Sequence, residues 1–394
     1  MTLRYGVLGA GRQGTAAAYD IARYGDADVV LLGDADVNAA RASAARVNAL
    51  LGRNVAEPFE VNARAPESLG QFLRGLDACL SAVPYYLNTA VARAAIAAGC
   101  SLCDLGGNTD VVLEELALDE EARTAGVSVI PDCGVGPGLI SNLAVFAIEK
   151  FDEPQEVLIY DGGLPQHPRP PFNYACFFNI EGLTNEYAGE ALYLQDGAAT
   201  RVRCFDEAEY ELIDVPGLGQ LEAFTTSGAL STMVATYEGK LRTLKNKTLR
   251  YPGHYALFKG MSDLGLLDTE PLHIEGATVV PRRLLHALLI PRFAPRPDDE
   301  DLMVIHIRAR GLAQGKRMSL ALDLLDLYDE ATGFTAMERT TGFHAAIVAQ
   351  MMARGETLRG AIPLERAVNA ARMVEEVGRR GMEVKIRMHD DIRS

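Results

Sequence analysis

The sequence predicts an α/β protein: a Rossmann-type, doubly wound parallel sheet followed by a second, α+β domain with a mixed or antiparallel sheet. Three observations predict it. A short β-type run, Tyr5 to Leu8, feeds directly into Gly9-Ala-Gly11-Arg12-Gln13-Gly14 and then into apolar residues at helical spacing. As far as Asp132, strand-length apolar runs alternate with helical segments, the pattern of parallel βα units. Beyond that point short strand candidates dominate, in a chain whose 394 residues exceed one ordinary domain.

Strand, glycine turn and helix, in that order, give Gly-x-Gly-x-x-Gly its meaning as a dinucleotide fingerprint. Gly9 allows the tight turn, Gly11 lets a pyrophosphate approach the backbone, and Gly14 lets helix and strand pack closely. Arg12 and Gln13 stand at the helix N-terminus, which faces the phosphate charge. A second apolar run, Val29 to Leu32, ends in Gly33-Asp34, twenty residues after Gly14. A carboxylate there accepts hydrogen bonds from the ribose hydroxyls and repels a 2′-phosphate, so NAD is the expected cofactor.

The remaining elements follow in order. Asn38–Leu51 reads as a helix, Phe59–Val61 as a third strand and Glu67–Arg74 as a helix. Asp77–Val83 is an apolar strand ending at Pro84, and Asn88–Ala98 a helix with Asn88 placed to cap it. Ser101–Leu105 is the next strand, Val111–Ala125 a helix, and Val127–Asp132 a sixth strand. Ligands of such sheets bind beyond the carboxyl ends of the strands. That rule nominates the loops Gly9–Gly14, Ser81–Tyr86, Asp104–Thr109 and Asp132–Gly138. Pro137–Lys150 reads as a helix leaving the nucleotide domain, and Val157–Pro165 as a strand. Leu221–Phe224, Met303–Ala309 and Met318–Leu322 are further strand candidates, and Ala294–Asp301 is a polar loop. Ala345–Met352 and Leu364–Val377 read as helices that return to the nucleotide domain. Residues 1–135 with about 345–394 are therefore assigned to nucleotide binding, and about 136–344 to substrate and oligomer contacts.

Composition excludes several functions. A net charge of −15 argues against nucleic acid or an anionic membrane as partner. No apolar run has the length of a membrane span, and charge and glycine interrupt the N-terminus before any signal-peptide pattern. Six scattered cysteines read as reduced thiols in a cytoplasm, and Cys100-x-x-Cys103 as small core residues. The histidines show no paired ligand spacing, so no metal is expected. No Gly-x-Ser-x-Gly follows a strand. The basic stretch Lys240–Arg250 reads as a solvated face.

A series of motifs runs through nearly the whole chain. It opens with Gly9-Ala-Gly11, Asp104-Leu-Gly-Gly107 and Ile130-Pro-Asp-Cys-Gly-Val-Gly-Pro-Gly138. Gly162-Gly-Leu-Pro165, Pro170-Pro-Phe-Asn-Tyr174, Ile180-Glu-Gly-Leu183 and Glu222–Gly228 follow. Lys247-Thr-Leu-Arg250-Tyr-Pro-Gly-His254 and Ala346–Gln350 close it. In these the chain resembles the saccharopine dehydrogenase superfamily, and within it most closely the lysine 6-dehydrogenases. The resemblance implies NAD-dependent oxidative deamination of L-lysine at its ε-carbon by a homo-oligomer. The products would be 2-aminoadipate 6-semialdehyde, which cyclises to piperideine-6-carboxylate, together with ammonia and NADH. Cys133, Gly136 and Asn185-Glu186 depart from the relatives and bear on substrate identity. A saccharopine-type dehydrogenase acting on a secondary amine, or a non-catalytic dinucleotide-binding protein, are the alternatives.

The chemistry names its candidates. Hydride leaves the carbon bearing the amine, so the amine must be neutral, although free lysine keeps its proton to about pH 10. Ser81, Val83, Pro84, Tyr85, Gly106, Gly107 and Asn108 are candidates for contacts with the nicotinamide. Asp104 and Asp132, at strand ends, could poise a proton or bind the amine, or merely cap. Within the family-like motifs of the second domain lie Tyr174, Glu181, Thr225, Thr226, Ser227, Arg250 and His254. Arg250 could clamp a carboxylate through paired hydrogen bonds or make a structural ion pair. His254 could relay a proton near neutrality or anchor a turn. Thr225 to Ser227 could donate hydrogen bonds to a carboxylate or cap a strand, and Glu181 could accept a cationic amine.

Overall fold

Six parallel strands build the first sheet: β1 (Leu3–Leu8), β2 (Ala27–Asp34), β3 (Ala56–Glu60), β4 (Ala78–Ser81), β5 (Ser101–Asp104) and β6 (Ser128–Ile130). The short strand Gly360–Ala361 adds beside β6, giving the order Gly360–Ala361, β6, β5, β4, β1, β2, β3. The computed structural model describes residues 2–296 and 298–391. It divides into one unit reaching Phe146 and including Asp329–Phe334 and Glu338–Gly381, and a second holding the remainder.

Val7, Val30, Leu32, Leu80, Leu102 and Val129 have no exposed surface, as expected of strands covered on both faces. The crossovers are α1 (Arg12–Tyr24), α2 (Val37–Leu51), α3 (Pro66–Leu73), α4 (Asn88–Ala98), and the pair α5 (Thr109–Leu116) and α6 (Asp119–Ala125). Strand order reverses between β1 and β4, which opens the crevice at their carboxyl ends.

Some elements differ from expectation for local reasons. The helix expected over Val111–Ala125 breaks at Ala117-Leu118 into α5 and α6. Asn88 does not cap α4. A 3-10 turn, Tyr85–Leu87, precedes the helix, and Asn88 Oδ1 accepts instead from Ser81 Oγ at 2.9 Å. The Leu364–Val377 helix is interrupted at Val368-Asn369, where Asn369 caps Ala370–Arg379 by accepting from Arg372 N at 2.8 Å.

The domain boundary also shifts. Helix α7 (Leu139–Ile148) lies mostly in the first unit, which ends at Phe146 rather than at 135. The terminal strand Val384–Asp390 belongs to the second unit, not the first, because it pairs with a strand there. Within the first unit the C-terminal helices are tied to α1 through a buried network. Arg380 Nε and Nη2 donate to Asp20 at 2.6 and 2.8 Å, Arg380 Nη1 donates to Glu376 at 2.6 Å, and Gln350 also reaches Asp20.

The second unit holds a mixed sheet. Its strands are β7 (Glu153–Pro165), β8 (Glu190–Gln195), β9 (Ala198–Arg203), β10 (Glu211–Val215), β11 (Gly219–Phe224), β12 (Thr243–Arg250), then, after the separate hairpin β13 (Leu272–Ile274) and β14 (Ala277–Val279), β15 (Asp301–Ala313) and β16 (Lys316–Leu327). The main order is β10, β11, β12, β7, β15, β16, Val384–Asp390, antiparallel except for β12 against β7. The expected polar loop Ala294–Asp301 includes Pro297, which lies outside the described residues.

The basic stretch Lys240–Arg250 is a solvated face only at Lys240 and Arg242. Thr243–Arg250 is an inner strand on which Lys247 and Arg250 are buried. Its lysines are neutralised: Lys245 meets Glu209 at 2.6 Å, and Lys247 meets Glu211 at 2.8 Å. On one side an aromatic core collects Tyr174, Tyr187, Phe205, Phe224, Phe258 and Phe293. Helix Pro281–Phe293 adds Leu285 and Leu289 on one stripe, each contributing about 1.5–3 kcal/mol by burial.

Candidate active site

In the first unit, β1 delivers the chain into a turn that glycine alone permits. Gly9 has φ +106°, and a Cβ there would stand 2.7 Å from the Ala82 carbonyl oxygen. A Cβ on Gly14 would fall 1.9 Å from the Gly9 oxygen, so α1 can pack on β1 only with glycine at that position. A Cβ on Gly11, by contrast, would meet nothing within 4 Å. Gly11 and Arg12 are exposed, and no side chain caps α1, so its first N–H groups face open space. A pyrophosphate fits these features. Asp34, partly exposed at the end of β2, accepts from Ala10 N at 2.8 Å and Asp36 N at 2.9 Å. It braces the glycine turn through these two bonds.

The loops after β4, β5 and β6 line the same crevice. Gly107, with φ +125°, abuts Tyr85: a Cβ there would be 3.2 Å from Tyr85 Cβ. Gly106, with φ +74°, lies against Asp132, whose Oδ1 would be 2.3 Å from its Cβ. Val83 and Pro84 lie on the accessible turn, whereas Ser81 is buried and bonded to Asn88. Asn108 caps α5, its Oδ1 accepting from Asp110 N and Val111 N at 3.0 and 3.2 Å.

The expectation that Asp104 poises a substrate proton needs correction. Asp104 has no exposed surface, and its Oδ1 accepts from Gly106 N at 2.6 Å and from Asp132 N at 3.4 Å. It braces backbone beneath the crevice. Asp132 holds φ +64° at the end of the β6 segment. Glu115, buried on α5 beside Asp104, was not singled out by the sequence, since a glutamate in a helix looks like solvated surface. Cys133 is fully buried, and burial pushes its thiol well above the ordinary range, so it supplies no thiolate.

The second unit concentrates chemistry around Arg250, the last residue of β12. Its Nε donates to Tyr187 Oη at 2.8 Å, its Nη1 donates to the Leu249 carbonyl at 2.8 Å, and its guanidinium lies over the Tyr174 ring at 4.8 Å. Nη2 has no protein acceptor among the described residues, and no carboxylate lies within ion-pair distance of the group. A buried guanidinium left in that state costs several kcal/mol unless an anion meets it.

His254 does not titrate near neutrality. Burial and the Arg250 charge lower its pKa to about 3. Its Nδ1 is 3.1 Å from the Phe172 carbonyl, which can only accept, so the proton sits on Nδ1. Nε2 then accepts from Tyr187 Oη at 2.9 Å. Glu222 fixes the start of the helix His254–Asp263 by accepting from Gly253 N and Tyr255 N, both at 2.9 Å.

Two acids near Arg250 escaped the sequence reading. Asp161, on β7, accepts from Asn246 Nδ2 at 2.6 Å, and burial pushes it up to about 6 against Asn246 and Arg250. Burial pushes Glu186 up to about 7 against the pull of Arg250. Both are partly exposed. Neither shows a motif: Asp161 lies in the middle of strand β7, and Glu186 marks only a departure from relatives. Of the other candidates, Tyr174 is buried against Arg250. Thr226 pairs with Thr248 at 2.6 Å, Thr225 is fully buried, and Glu181 is exposed in the first turn of Ile180–Glu186. Among the described residues no group of three metal-ligating side chains converges, and no helix is long and apolar enough to cross a membrane.

A dinucleotide-binding sheet followed by a mixed-sheet domain is the architecture of a nicotinamide-dependent oxidoreductase, and the family match supplies that class. The sequence profile of the saccharopine dehydrogenase NADP binding domain matches residues 5–130, and that of the saccharopine dehydrogenase C-terminal domain matches residues 134–382. The chain belongs to the saccharopine dehydrogenase family. It is 26% identical to the carboxynorspermidine synthase of Vibrio cholerae over 89% of this chain and 88% of that protein. It is 28% identical to the mitochondrial alpha-aminoadipic semialdehyde synthase of Rattus norvegicus over 52% of this chain, but spans only 23% of that protein. The apo saccharopine dehydrogenase (L-Glu forming) of Saccharomyces cerevisiae shares the fold, with a TM-score of 0.78 at 18% identity over 98% of this chain and all of that one.

Proposed function

We propose that this chain oxidises an amino-acid amine with NAD, and that L-lysine, deaminated at its ε-carbon, is the substrate. The observation that carries this reading is Arg250, a buried guanidinium with a free Nη2 and no ion pair. Such a group suits a substrate carboxylate. Asp161 and Glu186, partly exposed nearby, suit the α-ammonium of the same zwitterion. Bound NAD would accept hydride from the amine carbon. Water then adds to the resulting iminium and ammonia leaves, giving the semialdehyde. Asp34 supports NAD over NADP, although the matching domain profile is named for NADP.

A second reading rests on the nearly full-length likeness to a carboxynorspermidine synthase. Here the chain would form or break a secondary amine bearing a carboxylate. One assay separates the two. NADH and ammonia formed together from L-lysine support deamination. Oxidation of a reduced nicotinamide by a carboxylated aldehyde plus a diamine, with no ammonia released, supports the second. NADH binding without turnover of either would leave a non-catalytic binding protein. A cytoplasmic homo-oligomer completes the reading, and the exposed Leu272, Ile274, Leu284 and Leu288 offer apolar surface for it. Sedimentation of the purified chain tests that part.

A further inference from the structure

Asp104 and Glu115 are both carboxyls with no exposed surface, and each is an electrostatic and hydrogen-bonding neighbour of the other. Asp104 stands at the end of β5 and Glu115 in the last turn of α5. Asp104 Oδ2 and both Glu115 oxygens are buried without any conventional donor. Neither residue has a lysine or arginine partner among the described residues. Two neighbouring buried anions without donors cannot persist without a counter-charge. A single proton resolves both problems, because a protonated carboxyl donates where a carboxylate can only accept.

We propose that Glu115 carries a proton at neutral pH and donates it to Asp104, and that this shared proton positions the loop forming one wall of the dinucleotide crevice. Asp104 Oδ2 is then satisfied by Glu115, while Oδ1 is free to hold Gly106 N at 2.6 Å and Asp132 N at 3.4 Å. The chain Glu115, Asp104, Gly106 and Asp132 fixes two adjacent strand ends. Gly107 follows in the same loop and lies against Tyr85. The surroundings favour this sharing. Burial, then the Asp104 charge, drives the Glu115 pKa far upward, with Asp132 and Glu114 adding repulsion. Among the other groups near the pair, the Cys133 thiol is held neutral by burial. Glu114 is turned outward, where Thr89 Oγ1 donates to it at 2.9 Å. Glu115 is thus a positioning residue that acts through Asp104 without touching the cofactor.

The inference rests on the dinucleotide reading of the crevice but not on the substrate. The test uses the whole chain and two readouts. Infrared difference spectra between the wild type and Glu115→Gln at pH 8 should show the C=O stretch of a protonated carboxyl, lost in the variant. NADH binding, followed by the fluorescence of the nucleotide, should change less than about twofold in Glu115→Gln, whose amide can still donate to Asp104. It should weaken about tenfold or more in Glu115→Ala, which leaves Asp104 Oδ2 without a donor. Absence of the protonated-carboxyl band, or a Glu115→Gln variant as weak as Glu115→Ala, would overturn the proposal. The infrared band and the Glu115→Gln measurement decide the matter even if Glu115→Ala does not fold. Failure of the wild type to bind NADH would count against the cofactor reading, while the infrared band would still judge the shared proton.

Discussion

Arg250 Nε donates to the hydroxyl of Tyr187 at 2.8 Å, which spends one donor of the fork on the protein and leaves Nη2 unspent. The same hydroxyl donates to His254 Nε2, so the arginine, the tyrosine and a neutral histidine form one directed chain. Arg250→Lys keeps the charge and loses the fork. The KM for the amino acid should rise about 10- to 100-fold in this variant with NADH binding unchanged, a loss of about 1.4–3 kcal/mol. Steady-state kinetics at saturating NAD checks it. An unchanged KM would remove Arg250 from substrate recognition.

Asp34 braces the turn through Ala10 N, and the proposed NAD site gives it a second role toward the ribose hydroxyls. Asp34→Ala should weaken NAD more than about tenfold, and NADP much less, because the repulsion of a 2′-phosphate disappears with the carboxylate. Titration of both cofactors into the variant measures the ratio. Equal losses would mean that Asp34 only braces the turn.

Asp161 has its pKa raised to about 6 in the folded chain from an ordinary 3.8. The folded state therefore holds its proton more tightly, and stability is lost as pH rises through about 6 and stays lost above it. Asp161→Asn should thus raise the midpoint of urea unfolding at pH 8, by of order 1 kcal/mol once solvent exposure is allowed for. At pH 5 the gain should shrink. The same variant should bind the amino acid more weakly, the trade expected of a destabilising functional group.

His254 and His344 act in the opposite window. Burial lowers their pKa values to about 3 and about 4, from 6.5. The unfolded chain therefore takes up protons first as pH falls below 6.5, and stability drops from there towards about 4 and then 3. Inside the first unit His344 Nδ1 donates to the Cys133 carbonyl at 2.9 Å, and its Nε2 stands 2.8 Å from Asn142 Oδ1. A His344→Gln variant should show a shallower loss of melting temperature between pH 6.5 and pH 4 than the wild type. Identical slopes would show that His344 is not what drives the acid limb.

Arg380 tests how the C-terminal helices are anchored. With Asp20 left without a cation, while Glu376 keeps Arg372 and Arg379, Arg380→Met should cost about 3–5 kcal/mol in unfolding free energy. The double variant Arg380→Met with Asp20→Leu should recover part of the loss, since a buried pair replaced on both sides leaves less charge stranded.

The glycine turn and the strand ends of the first unit were legible because each follows from a local rule. Gly9 needs its positive φ, Gly14 its missing Cβ, and Asp34 its place twenty residues on. Other features depended on distant partners. Lys245 and Lys247 read as surface until Glu209 and Glu211, some thirty-six residues earlier, neutralise them inside the sheet. Asp104 looked catalytic because it ends a strand, and only its burial against Glu115 shows that it braces backbone. Asp161 and Glu186 carry no motif at all. They gain meaning from lying near Arg250, a proximity created by the parallel pairing of β12 with β7 and by the helix ending at Glu186.

The most direct test of the account compares L-lysine with cadaverine, which has the same terminal amine but no carboxylate. Initial rates of NADH formation, with ammonia assayed in parallel, should show turnover of lysine and a much higher KM for cadaverine in the wild type. That difference should collapse in Arg250→Met. Equal kinetics for the two amines, or turnover of neither, would contradict recognition of an amino-acid carboxylate by Arg250.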